Sequence, residues 1–209
     1  MASAVRSQRN PVDNQTILAI AADQFAQQGF AGARMEDIAQ HAGVNKATLY
    51  YRIGDKEALY EKVIISTMDR ALTDLRQVQH CTTDPCQQLR QYIQILANHI
   101  QTHPTFTSLV LHELASSSEN ISLPMLERLL EVRALFTDIL RHGEAQQLFR
   151  SINPVIIYMQ TIGALIFYAS SQMLHQRIPP LKMKTSGIEP ALPEAAIELT
   201  ETILRAIKL

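Results

Sequence analysis

The spacing of the glycines constrains the fold of this chain more than any other feature of its sequence. Four of the seven glycines, Gly29, Gly32, Gly43 and Gly54, fall within the first 54 of 209 residues. Glycine interrupts helices, and these intervals are too short for a long helix between them. The sequence therefore predicts short helices up to residue 54 and longer elements only after it.

Apolar residues with helical spacing predict where the short helices lie. From Ile17 to Phe25 they recur at three- and four-residue steps, and Gly29 follows as a helix stop. A second periodic segment ends at Gly43, and Asn45 then supplies an N-cap for a third helix. The predicted ranges are about 12–28, 35–42 and 45–52.

Longer amphipathic helices are predicted from residue 55 onward. Asp55 can cap a helix whose apolar stripe runs to about His80, and Pro104 ends the next periodic segment. The further predicted helices cover about 89–103, 106–117, 123–142, 154–176 and 191–209. Only 6% of the residues are aromatic and Trp is absent, which disfavours strands. The chain is therefore predicted to be all-α, with about nine helices.

Charge and cysteine content exclude several classes of protein. Nineteen Lys and Arg residues against twenty Asp and Glu give a net charge of -1, so any binding to nucleic acid must be local. Two cysteines cannot form a disulfide framework, and the first ten residues lack an apolar leader, which together favour a cytoplasmic location. The most apolar stretch, Val155–Ala169, is short and broken by Gln160 and Thr161, so no membrane span is predicted.

Motifs of enzyme active sites do not stand out in the sequence. It has no glycine-rich phosphate loop, no nucleophile-elbow pattern and no pair of carboxylates at a recognisable spacing, so we predict neither catalysis nor a cofactor. His99, His103 and His112 can hold a metal ion only if their helices pack face to face; helix capping is favoured, and no metal site is predicted. Cys81 and Cys86 are interpreted as unreactive thiols rather than a redox switch.

Two short helices joined by a glycine turn form a helix-turn-helix unit, whose second helix can enter the DNA major groove. The segment FAQQGFAGARMEDIAQHAGVNKATLYYRIGDKEALYEKVI, residues 25–64, resembles the N-terminal domain of the TetR family of bacterial transcriptional regulators. The residues that carry the resemblance, in the order and spacing of the family, are Phe25, Gly29, Phe30, Ile38, Ala39, Ala42, Gly43, Val44, Thr48, Leu49, Tyr50, Lys56, Glu57 and Leu59.

The resemblance implies a homodimeric repressor that binds a palindromic operator on double-stranded DNA and is released by a small-molecule effector. It implies a DNA-binding domain over 1–55 and a long fourth helix that leads into a helical effector-binding and dimerisation domain over 56–209. Two positions depart from the family: Arg34 stands where a Thr usually caps the second helix, and Ile53 where Phe is usual. An alternative is a DNA-binding protein without an effector, whose C-terminal domain only dimerises.

The predicted DNA contacts lie on and beside the third helix. They are Arg34, Asn45, Lys46, Thr48, Tyr50, Tyr51, Arg52 and Lys56. Asn45, Lys46 and Thr48 occupy the first turn, which usually meets base edges, whereas Tyr50 and Lys56 are expected on phosphates. The alternative is that Asn45 and Thr48 only cap the helix and that Tyr50 packs in the core. Because residues 1–60 carry six basic and six acidic residues, affinity must come from a local basic cluster and from two heads bound together.

Two further sites are predicted in the C-terminal domain. An apolar pocket with a few polar groups is typical of a small-molecule site, and its predicted lining is His99, Phe106, His112, Glu113, Phe136, Tyr158, Met159 and Ile162. The last two helices carry apolar stripes and small residues that fit a partner helix. The predicted dimer interface is Ile162, Ile166, Ala169, Met173, Ile197, Ile203, Leu204 and Ile207. The alternative is that helix 154–176 is the central helix of the monomer's own core.

Overall fold

A computed structural model of the chain describes residues 12–116, 119–177 and 190–209, apart from the side chains of 173–177. Within these residues the chain is helical, and its one β-feature is an isolated antiparallel bridge between Phe149 and Lys208. The helices are α1 (Asn14–Gly32), α2 (Met35–His41), α3 (Lys46–Ile53), α4 (Lys56–Cys81), α5 (Pro85–Thr102), α6 (Pro104–Ala115), α7 (Leu123–Ala145), α8 (Pro154–Arg177) and α9 (Leu192–Ile207). The all-α prediction is thereby confirmed.

Two compact units divide the chain between Val63 and Ile64, within α4. The N-terminal unit contains α1–α3 and the first turns of α4, and the C-terminal unit contains the rest. Leu59 and Tyr60 of α4 are buried, so the N-terminal unit extends beyond the domain predicted over 1–55. The functional division into 1–55 and 56–209 stays a prediction.

The N-terminal unit is closed around apolar side chains from each of its helices. The residues without exposed surface are Ile17, Ala21, Phe25, Ile38, Leu49 and Leu59. The rings of Phe25 and Phe30 meet the Tyr60 ring edge to face, with centroids 4.9 and 5.1 Å apart. Gly29 has φ 68 and ψ 174, so α1 kinks at the residue predicted to end it and continues for one short turn.

Capping side chains mark the starts of α3 and α4. The Asn45 carboxamide accepts a hydrogen bond from Thr48 N at 2.6 Å, and the Asp55 carboxylate accepts one from Ala58 N at 2.8 Å. Both caps were predicted from the sequence, and both are confirmed. Arg34, at the N-cap position of α2, makes no side-chain cap.

Helix α5 lies at the centre of the C-terminal unit, in contact with α6, α7, α8 and α9. The buried hydroxyl of Tyr92 donates to the carbonyl of Val132 at 2.6 Å, and its ring meets that of Phe136 edge to face at 5.3 Å. Helix α5 ends at Thr102, just before the proline that was predicted to end it, whereas α6 begins at Pro104, ahead of the predicted start at about residue 106. Proline fits the first turn of a helix, where its missing N–H has no acceptor to lose.

Helix α9 buries its apolar stripe inside the C-terminal unit, chiefly against α5. Ile203, Leu204 and Ile207 are at most 9% exposed, so the structure places these three predicted interface residues in the unit's own core instead. The stripe showed correctly that this face is covered, but periodicity does not reveal which neighbour covers it. Ile197, on the same helix, is 57% exposed.

Helix α8 is strongly apolar and only partly covered. Its stretch Pro154–Gln172 is long and apolar enough to cross a membrane by length and composition alone, and 17% of it is buried. Tyr158, Thr161 and Leu165 are buried, whereas Phe167 is 77% exposed. Among the described residues, much of the apolar surface of α8 therefore remains exposed.

Candidate DNA-binding surface and ligand cavity

The turn between α2 and α3 has the hydrogen bonds of a Schellman motif. Val44 N donates to the carbonyl of Ala39, and Gly43 N donates to that of Gln40, both at 3.0 Å. Gly43 has φ 66, a left-handed conformation that residues with a side chain rarely adopt. Asn45 caps α3 two residues later, so a single tight turn ends one helix and begins the next. This arrangement is a helix-turn-helix.

Helix α3 has one buried and one exposed face. Leu49 and Ile53 are buried, whereas Lys46, Tyr50 and Tyr51 are exposed. Tyr50 is 42% exposed and Tyr51 90%, so neither packs in the core. Two phenol hydroxyls and an ammonium group on one short helix provide hydrogen-bond donors for phosphates and base edges.

Lys46 is held by two contacts at this surface. Its ammonium group forms an ion pair with Glu36 of α2 and lies 5.6 Å from the centre of the Tyr50 ring. The hydrogen bond between them lowers the pKa of Glu36 and raises that of Lys46. Glu36 was not a predicted site residue, because only the packing of α2 against α3 brings the two side chains together. A base contact by Lys46 must therefore compete with Glu36.

The remaining first-turn residues of α3 combine capping with partial exposure. The carboxamide oxygen of Asn45 is engaged with the backbone of Thr48, so the capping role holds for Asn45, and the Thr48 side chain is half-buried. Arg34 is exposed, and within residues 12–116 its guanidinium makes no hydrogen bond. Its position before α2 leaves that group open to a phosphate.

Arg52 and Lys56 make contacts inside the N-terminal unit. Arg52 Nη1 donates to the carbonyl of Val12 at 2.6 Å, which ties α3 to the segment before α1. Lys56 Nζ donates to the carbonyl of Ala31 at 3.2 Å and lies 4.7 Å from the centre of the Phe30 ring. Both cations thus have a structural partner. Sequence reasoning missed these partners because a backbone carbonyl acceptor leaves no pattern in the sequence.

A large cavity lies inside the C-terminal unit. Its volume is about 590 Å³, and α4, α5, α6, α7 and α8 all contribute to its wall. The wall is mostly hydrocarbon, with residues such as Met68, Leu96, Ile100, Val110, Leu129 and Ile166. A cavity of this size and character is typical of a small-molecule site.

The structure brings together part of the predicted pocket. The predicted residues that line the cavity are His99, Phe106, Tyr158, Met159 and Ile162. Glu113 lies instead on a smaller cavity of about 140 Å³. Phe136 is fully buried between the rings of Tyr92 and Tyr158, and His112 is exposed and lines neither cavity. Helical spacing identified the apolar residues but not which of them face the empty space.

The cavity wall also holds polar residues that sequence reasoning missed, which are Thr67, Thr107 and Arg133. Thr107 is 1% exposed, and its hydroxyl makes no hydrogen bond in the described part of the chain. The same holds for Nδ1 of His99, whose Nε2 lies 2.8 Å from a carboxylate oxygen of Asp74. Burial raises the pKa of Tyr158 to about 12, and the charge of Arg133 opposes that rise. The phenol therefore stays protonated at neutral pH.

The histidines and cysteines of the described residues do not come together in a metal site or a disulfide. The rings of His99 and His103 stack with centroids 5.8 Å apart, but in the described ranges no group of three or more His, Cys, Asp or Glu stands close enough to hold a metal ion. Cys81 is exposed, Cys86 is buried, and both are free thiols. Burial raises the pKa of Cys86, which keeps its thiol protonated and unreactive.

Two family descriptions match the sequence on either side of the unit boundary. Residues 17–63 match bacterial regulatory proteins of the tetR family, and residues 85–189 match the tetracyclin repressor-like C-terminal domain. The chain belongs to the TetR family. The resemblance inferred from the helix-turn-helix segment is thereby confirmed. Proteins of the TetR family are DNA-binding transcription regulators and not enzymes, so this chain is a transcription regulator.

Individual TetR-family proteins align over most of the chain. The HTH-type transcriptional repressor NicS of Pseudomonas putida is 28% identical over 176 residues, which cover 80% of this chain and 81% of NicS. The structure of the ketosteroid transcriptional regulator KstR2 of Mycobacterium tuberculosis has a TM-score of 0.72 at 19% identity and covers 95% of this chain and 97% of its own. The structure of the fatty acid degradation regulator FadR from Bacillus halodurans has a TM-score of 0.74 at 18% identity. The match covers 92% of this chain and 98% of the FadR chain. At these identities the two structures show the fold alone.

Membership of the TetR family also puts the two departures in context. Ile53 is buried, so an aliphatic side chain occupies the core position at which the family usually has Phe. Arg34 gives α2 no side-chain cap, but Glu36 and Asp37 lie in its first turn. Negative charge at that end of a helix is favourable. The first turn of α2 thus carries favourable negative charge where the hydroxyl cap is absent.

Proposed function

We propose that this TetR-family protein is a ligand-responsive repressor that acts in the cytoplasm as a homodimer on a palindromic operator. The observation that carries the proposal is the cavity of about 590 Å³ in the C-terminal unit. A cavity left in a core costs stability, so a unit that only dimerised would be expected to fill it. A regulator that binds a ligand there has a reason to keep it.

Helix α4 is the proposed route from the ligand to DNA. It contributes Thr67, Met68 and Ala71 to the cavity wall, and its first turns belong to the N-terminal unit. A ligand that binds one arrangement of α4 more tightly shifts the population toward that arrangement. In a dimer such a shift changes the separation of the two α3 helices, which must match half-sites about one helical turn, ~34 Å, or a multiple apart.

Sequence-specific binding is expected from α3 of both copies. The exposed residues Lys46, Tyr50 and Tyr51 are proposed to meet DNA, with Arg34 on the flanking backbone. Residues 1–60 carry no net charge, so one head alone gains little from bulk electrostatics. Two linked heads make the second contact intramolecular, which raises the overall affinity.

The uncovered apolar surface of α8 and α9 supports the dimer. The large exposed apolar residues there include Val155, Ile156, Phe167 and Ile197. In a two-fold interface the same patch of one copy packs against that of the other. Such an interface therefore covers these residues without needing a different surface of the protein as partner. Of the interface residues predicted on α8, Ile162 and Ile166 line the cavity, Ala169 is half-buried, and the side chain of Met173 lies outside the described residues.

Repression rather than activation is supported by NicS. That protein aligns over 80% of this chain and is named a transcriptional repressor. Release of a repressor from its operator requires only that the ligand lower DNA affinity, which the α4 route provides.

Recovery of genomic DNA fragments bound by the full chain tests the proposal. We expect a site with two-fold pseudo-symmetry, a dimer by sedimentation velocity, and release of the operator by a compound that raises the melting temperature in a thermal-shift screen. A single asymmetric site bound by a monomer would contradict the dimer. A compound that binds the cavity and leaves operator affinity unchanged would contradict control by ligand.

A further inference from the structure

The few polar groups in the cavity wall indicate what kind of ligand the cavity takes. A volume of about 590 Å³ corresponds to roughly 20 water-sized units. Hydrocarbon lines nearly all of the wall, so the body of the ligand is expected to be hydrocarbon as well. The polar side chains in the wall are those of Thr67, His99, Thr107, Arg133 and Tyr158. Selection among apolar molecules of similar size must come from these groups.

Arg133 is the one Lys, Arg, Asp or Glu residue among those lining the large cavity. Elsewhere in the C-terminal unit, arginines that reach a neighbouring helix pair with carboxylates, as Arg76 does with Glu131 and Arg90 with Glu201, each at 2.7 Å. Arg133 is half-buried, yet no carboxylate of the described residues lies within ion-pair distance of its guanidinium. A partly desolvated cation without an anion favours a ligand that supplies one.

Two buried polar atoms in the same wall also have no hydrogen-bond partner among the described residues, Oγ1 of Thr107 and Nδ1 of His99. A hydroxyl buried in this way is costly, and a ligand oxygen that accepts from Thr107 removes the cost. Since the carboxylate of Asp74 only accepts, Nε2 of His99 carries a hydrogen. When the His99 ring is neutral, Nδ1 can accept a hydrogen bond from a ligand. When the ring is an imidazolium, Nδ1 can donate one. Tyr158, protonated at neutral pH, provides a further donor.

We propose that the effector is an apolar carboxylate, a hydrocarbon body with one ionised carboxyl group that pairs with Arg133. The inference rests on the proposed function, since it names the ligand class of the same cavity. A cationic ligand brings like charge to Arg133, and a neutral ligand of the same shape covers the guanidinium without giving it a partner. Of these three ligand types, only an anion gives the Arg133 guanidinium a partner of opposite charge.

A matched pair of probes isolates the carboxylate. Dodecanoate and dodecan-1-ol have the same number of carbon atoms and differ in the head group, an ionised carboxylate in one and a neutral hydroxyl in the other. Isothermal titration of the full chain with each, below micellar concentrations, compares them directly. We expect dodecanoate to bind about 10-fold or more tightly than the alcohol. In Arg133→Gln this preference falls to about 3-fold or less while alcohol affinity is retained.

The control variant is Arg141→Gln, which removes an exposed arginine from the same helix, outside the cavity wall. It should keep the preference of the unmodified protein, and circular dichroism melts show whether either variant has lost its fold. Thr107→Val, which replaces the hydroxyl with a methyl group, should weaken dodecanoate several-fold. If Arg133→Gln unfolds, Arg133→Met takes its place, since it retains an apolar stem.

Three outcomes overturn the inference: the alcohol binds as well as the acid, the preference survives in Arg133→Gln, or neither probe binds below millimolar concentration. Operator gel shifts run in parallel separate this inference from the proposed function. If dodecan-1-ol releases the operator, the result supports ligand-responsive repression and overturns the inference that the effector is a carboxylate. Arg133-dependent binding of dodecanoate that leaves the operator bound supports the carboxylate and contradicts ligand-responsive repression.

Discussion

The two units bury their apolar residues in contrasting ways. In the N-terminal unit, side chains such as Phe25, Ile38 and Leu49 have no exposed surface and fill the interior beneath the helix-turn-helix. The C-terminal unit has more helices, yet it contains a partly open cavity of about 590 Å³ and leaves Phe167 mostly exposed. A dense core holds α3 in one geometry, as reading a fixed DNA surface requires. The cavity leaves room for the ligand that we propose, and a ligand that binds one arrangement of the unit more tightly shifts the population toward it.

The strongest test of this contrast removes the centre of the dense unit. Phe25→Ala deletes a fully buried ring that contacts Phe30 and Tyr60, and truncations of this kind cost about 3–5 kcal/mol. We expect α1–α3 to lose hydrogen-exchange protection and operator binding to disappear, while α5–α9 keep their protection. Hydrogen exchange read by mass spectrometry measures both units in one experiment.

The exposed aromatic Tyr51 provides the control for that experiment. Tyr51→Ala removes a ring that is 90% exposed, so protection in α1–α3 should stay unchanged even where DNA binding weakens. Loss of protection throughout α5–α9 in Phe25→Ala would show that the two units fold as one, and the contrast between them would fail.

The uncovered surface of the C-terminal unit is tested by Ile197→Asp. Ile197 is 57% exposed, so a charge there should leave the monomer folded but place a carboxylate in the proposed two-fold interface. We expect a shift from dimer to monomer in sedimentation velocity, and a loss of about 100-fold in operator affinity because paired binding is lost.

Thr202→Asp introduces the same charge at an exposed polar position of α9 and serves as the matched control. It should remain dimeric. An Ile197→Asp protein that sediments as a dimer at micromolar concentration would remove α9 from the interface, and the cover of α8 would then have to come from elsewhere.

The sequence predicts the N-terminal unit better than the C-terminal one for a physical reason. In the first unit, local signals act over a few residues: Gly43 sets a left-handed turn, and Asn45 and Asp55 cap helices, as predicted. Sequence reasoning missed the side-chain pairs that join two helices of this unit, such as Lys46 with Glu36. These pairs depend on how the helices pack rather than on residue spacing.

In the C-terminal unit, helices and their apolar faces follow from periodicity, but the neighbour of each face does not. Leu204 and Ile207 therefore appeared as interface residues although α5 covers their helix, and Phe136 appeared in the pocket although two aromatic rings enclose it. A cavity is the space that side chains from several helices leave unfilled. No single helix carries a pattern for it, which is why Arg133 escaped notice.

Base reading by the dense unit is tested by Lys46→Ala. If Lys46 leaves Glu36 to contact a base edge, the variant loses discrimination at one position of each half-site, worth about 1–3 kcal/mol. Selection from a randomised operator library measures this. Glu36→Gln is the companion variant: it frees Lys46 from its ion pair and should tighten binding without changing base preference. Unchanged preferences in Lys46→Ala would assign this lysine to positioning only.

The cost of keeping the cavity is tested by Thr107→Val. The Thr107 hydroxyl is buried without a hydrogen-bond partner among the described residues, so an isosteric methyl group should stabilise the ligand-free protein by up to about 1 kcal/mol. For a chain of this size that is a rise in melting temperature of about 2–4 °C. Thr137→Val is the contrasting variant, since the Thr137 hydroxyl donates to the carbonyl of Arg133 at 2.9 Å and its loss should give no such gain. A lower melting temperature for Thr107→Val would mean that its hydroxyl has a partner after all.

The smallest expected effect distinguishes phosphate contact from structural support at Lys56. Lys56 and Lys62 lie on α4 and each donates to a backbone carbonyl, of Ala31 at 3.2 Å and of Ile53 at 2.7 Å. Only Lys56 lies in the first turn of the helix, where a phosphate is favoured. Lys56→Ala should therefore lower the slope of log affinity against log salt by about 1 at every DNA sequence alike, whereas Lys62→Ala should leave the slope unchanged. Equal slopes in both variants, with equal losses of thermal stability, would assign Lys56 to holding the dense unit together rather than to binding DNA.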